Sequence, residues 1–187
     1  MTGAPRVMID SRAREAMIRA AAQALPVETG GILLGYRSGK EIVVTDLLVV
    51  PNPSATPQRY TRDDVRANEL LIEWFAGHPE DPLTGYVGEW HSHTGIGPAS
   101  GLDLKSAAAT ARRARGPIAL LVCAPKPLLW LDAFVLRKAR FRRVSAQRVS
   151  LEVQDEPVDI QDALPEGAVR SDGPVFISYR QSDGWER

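Results

Sequence analysis

Apolar and polar positions alternate along the first 150 residues in a way that marks out short buried strands and amphipathic helices. Val7-Met8-Ile9 reads as a strand, followed by a helix capped by Ser11 that runs to about Leu25. In that helix Ala13, Met17, Ala20 and Ala24 share one face, while Arg12, Glu15, Arg19 and Gln23 point outward, and Pro26 ends it. Gly31 to Tyr36 (GILLGY) and Glu41 to Val50 (EIVVTDLLVV) form paired strands around the turn Ser38-Gly39-Lys40. A loop marked by Pro51, Pro53 and Pro57 leads to a second helix over Arg62 to Ala76, capped by Thr61 and stopped by Gly77. Tyr86 to His93 is a strand and Leu102 to Arg115 a third helix, ended by Gly116-Pro117. Ile118 to Cys123 and Leu128 to Leu136 complete the set as buried strands. Strands and helices that alternate in this way indicate an α/β or α+β domain.

The pattern changes at Leu151. Residues 151–173 are acidic, hold two prolines and lack helical periodicity, so they read as a linker. Just before them Arg137, Lys138, Arg140, Arg142, Arg143 and Arg148 form a basic cluster. Its plainer reading is a solvated strand pair with Phe141, Val144 and Val149 turned inward, and the two segments of opposite sign can offset one another.

Composition narrows the class. A chain of 187 residues with 44% hydrophobic and 25% charged residues is long enough to bury a core without disulfides or a structural metal. Lysine and arginine balance aspartate and glutamate at 23 each, which gives no global attraction to nucleic acid or an anionic membrane. A single cysteine, Cys123, rules out an internal disulfide and fits a reducing cytosol. No signal peptide or membrane-length apolar run is visible, so the expected location is cytoplasmic.

The candidate chemistry begins with Trp90-His91-Ser92-His93 at a strand end. Side chains at i and i+2 of a strand share a face, so two imidazoles at that spacing can hold one metal ion. Alone the pair reads as easily as two ordinary histidines. The short Gly/Pro loop that follows ends in Ser100-Gly101-Leu102-Asp103, where a helix starts. A serine followed three residues later by an acid is a capping box, the plainer reading of this segment. The loop is nevertheless short enough to return Asp103 to the strand end. Two nitrogens and one oxygen leave a fourth tetrahedral position for water, as in catalytic zinc, and zinc so bound brings the water pKa to about 7. A proton acceptor is still required, and Glu28 in Glu28-Thr29-Gly30-Gly31 is the candidate. Its plainer reading is a solvated loop residue, but the adjacent glycines argue for close backbone packing or unusual dihedrals.

Taken together, ETGGILLG, EWHSH some sixty residues later, and then SxxD resemble the signature of bacterial JAB/MPN (JAMM) zinc metallopeptidases. The resemblance covers roughly Val7 to Val149. It implies a mixed sheet flanked by helices, in the cytidine-deaminase-like α/β class, as a domain over residues 1–150. It implies Zn2+ bound by His91, His93 and Asp103, Glu28 as the base that activates water, and Ser100 as a hydrogen-bond donor to the reacting carbonyl. The implied substrate is an amide or isopeptide bond after the C-terminal tail of a ubiquitin-like protein. The sequence departs from the family pattern in a His93–Ser100 loop one residue shorter and in Thr94 where proline is common.

Gly173 to Gly184 (GPVFISYRQSDG) resembles the first strand and loop of a bacterial TIR domain, which would begin over residues 174–187 and whose catalytic glutamate is absent here. The two resemblances point to the N-terminal part of a longer protein in a bacterial defence system. Two other readings stay open at this level. One is a catalytically silent binding or sensing module of the same fold; the other is a zinc hydrolase for a small amide.

Overall fold

The computed structural model describes residues 4–140 and 143–155. Phe141, the TIR-like segment and the linker beyond Asp155 lie outside the described residues. Among these residues eight strands form one mixed sheet, in the order β7 (Val144–Arg148), β6 (Trp130–Lys138), β5 (Ile118–Ala124), β4 (Gly85–Ser92), β2 (Gly30–Ser38), β3 (Glu41–Val49), β1 (Arg6–Asp10), β8 (Leu151–Gln154), with three helices against its faces. This is an α/β architecture, as expected.

Strand β1 (Arg6–Asp10) leads into helix α1 (Ser11–Ala24), which buries Ala13, Met17 and Ala21. The cap is Asp10 rather than Ser11: its carboxylate accepts the Arg12 N–H at 2.8 Å. Strands β2 (Gly30–Ser38) and β3 (Glu41–Val49) form the expected antiparallel pair. Helix α2 (Asp64–Gly77) starts two residues later than its periodicity suggests, because Asp63 and not Thr61 accepts the free N–H groups of Val65 and Arg66. Arg62 is thereby left outside the helix. Strand β4 (Gly85–Ser92) occupies the centre, antiparallel to β2 and parallel to β5 (Ile118–Ala124). Between β4 and β5 lies helix α3 (Gly101–Ala111), which ends four residues short of Arg115 in a turn. Strand β6 (Trp130–Lys138) leaves Leu128 and Leu129 exposed in the turn before it, where the apolar run suggested strand.

Strand β7 (Val144–Arg148) pairs with β6, confirming strand in the basic segment. The linker boundary needs correction. Leu151–Gln154 is strand β8, parallel to β1, and Val149 N–H donates to Ala133 O at 2.9 Å while Val7 N–H donates to Ser150 O at 3.2 Å. One segment thus bridges both edges of a sheet curled around α1. Leu151-Glu152-Val153-Gln154 does alternate apolar and polar, but four residues running into an acidic, proline-bearing stretch are too short a run to stand out, and the partner edge reveals the strand.

Two cores result. On one face α1 packs against Val7, Ile9, Leu33, Trp90, Leu121 and Val135. On the other, Ala67 and Leu71 of α2 and Ala107 and Ala111 of α3 cover Ile32, Leu34, Leu120 and Val122. No helix among the described residues is long and apolar enough to cross a membrane.

Candidate metal centre

His91 pairs in register with Val122, so its imidazole lies on the α2/α3 face of the sheet. His93 sits just past the strand, held by its N–H on Cys123 O at 2.8 Å. Asp103 is the third residue of α3, and its Oδ2 accepts the Ser100 N–H at 2.6 Å while Ser100 Oγ accepts the Asp103 N–H at 3.2 Å. The capping box and the candidate ligand are therefore the same carboxylate. The helix start that explains Asp103 in plain terms is also what aims it at the histidines.

The three ligand atoms form a nearly equilateral triangle: His91 Nε2 to His93 Nε2 3.2 Å, His93 Nε2 to Asp103 Oδ2 3.3 Å, and His91 Nε2 to Asp103 Oδ2 3.4 Å. Three ligands about 2.0–2.2 Å from a tetrahedral zinc ion would stand about 3.3–3.6 Å apart. The observed edges match that size. Two imidazole nitrogens facing each other at 3.2 Å can share one proton at most, whereas one cation satisfies all three atoms. The His91-His93-Asp103 group can thus hold a metal ion.

Electrostatics agree. The hydrogen bond and charge of Asp103 raise the His93 pKa against burial. Burial alone would raise Asp103, but hydrogen bonds from His91, His93 and Ser100 outweigh it and hold the carboxyl well below the usual range.

Glu28 is buried at 9% exposure two residues before β2. Desolvation raises its pKa, opposed by the two histidines. Its N–H donates to Thr56 O at 3.0 Å. The neighbouring glycines are explained by close approach. A Cβ on Gly31 would stand 1.8 Å from Leu48 O, and one on Gly30 would stand 2.5 Å from both Trp90 O and the Tyr60 ring. Glu28, Ser100 and all three ligand residues line one cleft of about 320 Å³.

The loop from Thr94 to Ala99 leads into this helix start. Thr94 Oγ1 donates to Pro57 O at 2.8 Å, tying the loop to the Pro-rich segment opposite. As a cap, the Ser100 hydroxyl accepts, which leaves its own proton to donate into the cleft.

Several residues of the cleft are not visible from sequence motifs. Ser92 Oγ accepts the Thr29 N–H at 2.9 Å and Ser92 N–H donates to Thr29 O at 2.7 Å, which fastens the strand end of the histidines to the Glu28 loop. Arg62 and Glu89 form an ion pair of 2.7 Å in the same cleft. Burial works against the Arg62 charge, yet Glu89, Tyr86 and Asp64 together hold its pKa above the ordinary value. A lone acid next to a motif, and an arginine ahead of a helix, give no signal until the fold joins them.

The family described as prokaryotic homologs of the JAB domain matches residues 10–142. The chain belongs to this family. JAB-domain proteins are often hydrolases, and the His91-His93-Asp103 group of this JAB domain can hold a metal ion. Among solved structures, the solution structure of a Desulfitobacterium hafniense protein is similar at 22% identity, with a TM-score of 0.57 over 80% of this chain and 95% of that chain. That likeness concerns the fold alone. No curated protein matches the chain.

Proposed function

We propose that this JAB domain is a zinc-dependent metallopeptidase that cleaves the amide or isopeptide bond after the C-terminal tail of a ubiquitin-like protein. The observation that carries the reading is the zinc-sized triangle of His91, His93 and Asp103 in one cleft with a buried Glu28. When bound there, zinc supplies a Lewis acid that makes water nucleophilic near neutral pH. His91, His93 and Asp103 hold it. Glu28 takes the proton from the attacking water and returns it to the leaving amine, and desolvation raises its basicity for that task. Ser100 donates its hydroxyl proton to the carbonyl oxygen as negative charge builds there. The ubiquitin-like substrate and the TIR-like continuation from residue 174 rest on the sequence resemblance.

The test is a cleavage assay on fusions of ubiquitin-like proteins with zinc-loaded protein. Wild type should release the partner after the tail, and Glu28→Gln should retain zinc while losing on the order of 100- to 10,000-fold in rate. Equal turnover by the two proteins would remove Glu28 from the mechanism. Zinc-loaded wild type that leaves all such fusions intact would sink the substrate assignment.

A further inference from the structure

We infer that the buried ion pair between Arg62 and Glu89 is the positioning device for Glu28. The inference rests on the reading of Glu28 as general base. Glu89 lies two residues before His91 on β4 and shares its face, pairing in register with the core residue Ile32. Arg62 reaches it from the far side of the cleft, with side-chain exposures of 10% and 13%. The contact is built up on both sides. Arg62 also donates to Asp64 Oδ1 at 3.0 Å from Nε and 2.7 Å from Nη2, and Tyr86 Oη donates to Glu89 Oε1 at 3.2 Å. A register shift between Leu33 and Leu34 brings Tyr86 onto the face of Glu89.

A buried ion pair is a poor way to fill space, since well-packed apolar residues of similar volume often serve stability as well or better. Its presence in the cleft calls for something that apolar contact does not supply. Arg62, held between two carboxylates, is fixed in direction as well as distance: its Nε and Nη2 donate to Asp64 Oδ1, and its Nη1 stands against Glu89 Oε1 as an ion pair. Here it fixes the end of the segment from Thr56 to Arg62. That segment holds the Glu28 loop twice, through Thr56 O on the Glu28 N–H and through the Tyr60 ring, which lies 2.5 Å from where a Cβ on Gly30 would stand. The pair therefore clamps the holder of Glu28 to the strand that carries His91. Arg62 and Glu89 are positioning residues that act on the reaction through Tyr60.

Hydrogen exchange at the Tyr60 amide in the full chain tests this without turnover. The double variant Arg62→Met/Glu89→Leu removes both charges and leaves neither one buried alone. It should melt close to wild type, yet its Tyr60 amide should exchange at least about 10-fold faster. On a cleaved fusion it should lose about 10- to 100-fold in kcat with KM little changed. Glu89→Gln, which keeps the volume, should move the same amide in the same direction and decides the matter if the double variant does not fold. Wild-type Tyr60 protection in either folded variant overturns the inference, because the pair is then only filler. So does unchanged protection of the Glu28 amide in either folded variant, since its bond to Thr56 O is the grip on Glu28. Faster exchange in the double variant beside a fully active Glu28→Gln would leave the clamp standing and remove only the base.

Discussion

The two faces of the sheet are built from the same strands yet differ in what they bury. Around α1 the cluster is almost wholly apolar, running from Val7 and Ile9 through Met17 to Trp90 and Leu121. Its one ionisable member, Cys123, has its thiol pushed up to about 11 by burial and stays a small neutral filler. Beneath α2 and α3 the strands present His91, Glu89, Tyr86 and Asp132 among Ile32, Leu34 and Val122. Burying such groups costs free energy unless they are paired or hydrogen-bonded. The pairing is there: Glu89 with Arg62, Asp132 with Arg148 at 2.6 Å, and the histidines with Asp103. One face holds the fold and the other holds the chemistry. Substitutions should separate the two.

The largest separation is expected at Ser100. Replacing it by alanine should lower turnover by about 100- to 1,000-fold if its hydroxyl supports the developing oxyanion. The same change removes the α3 cap and should lower stability by only about 1 kcal/mol. Steady-state kinetics beside a denaturant melt reads both, and equal losses in the two would mean that Ser100 is a cap and nothing more. On the opposite face, Met17→Ala removes a fully buried side chain and should destabilise by roughly 2–5 kcal/mol. Its folded fraction should bind zinc in the same ratio as wild type. Loss of metal from folded Met17→Ala would show that the faces are coupled.

Much of this division is legible in the sequence. GILLGY and IALLVCA read as central strands because a strand covered on both sides is apolar at nearly every position. The i, i+2 histidines and the serine–aspartate helix start are local patterns, and locality is what makes them readable. What escapes is long-range. Ser92 meets Thr29 across 63 residues, and nothing in either neighbourhood announces the contact. Arg62 falls within the periodic stretch of α2, yet Asp63 caps the helix and releases it toward Glu89. The same holds for β8, which its composition assigns to a linker and its register with β1 returns to the sheet.

That correction yields the smallest of the three effects. As a linker, everything from Leu151 onward would be dispensable. As the strand that pairs with β1, its removal should cost roughly 1–3 kcal/mol. Thermal melts of the full chain and of chains ending at Ser150 and at Asp155 distinguish the two. A Ser150 truncation that melts with the full chain would restore the linker reading. A loss confined to that truncation, with zinc content unchanged, would place β8 on the side of the fold alone.

The central claim is that the triangle at the end of β4 is a zinc site, and metal content measures it directly. Elemental analysis of protein purified without chelators should give about one zinc per chain for wild type and close to none for His91→Ala. Both proteins should show the same helix and strand content, since His91 lines the cleft and belongs to neither apolar cluster. Equal zinc in the two proteins, or none in wild type, would contradict the account.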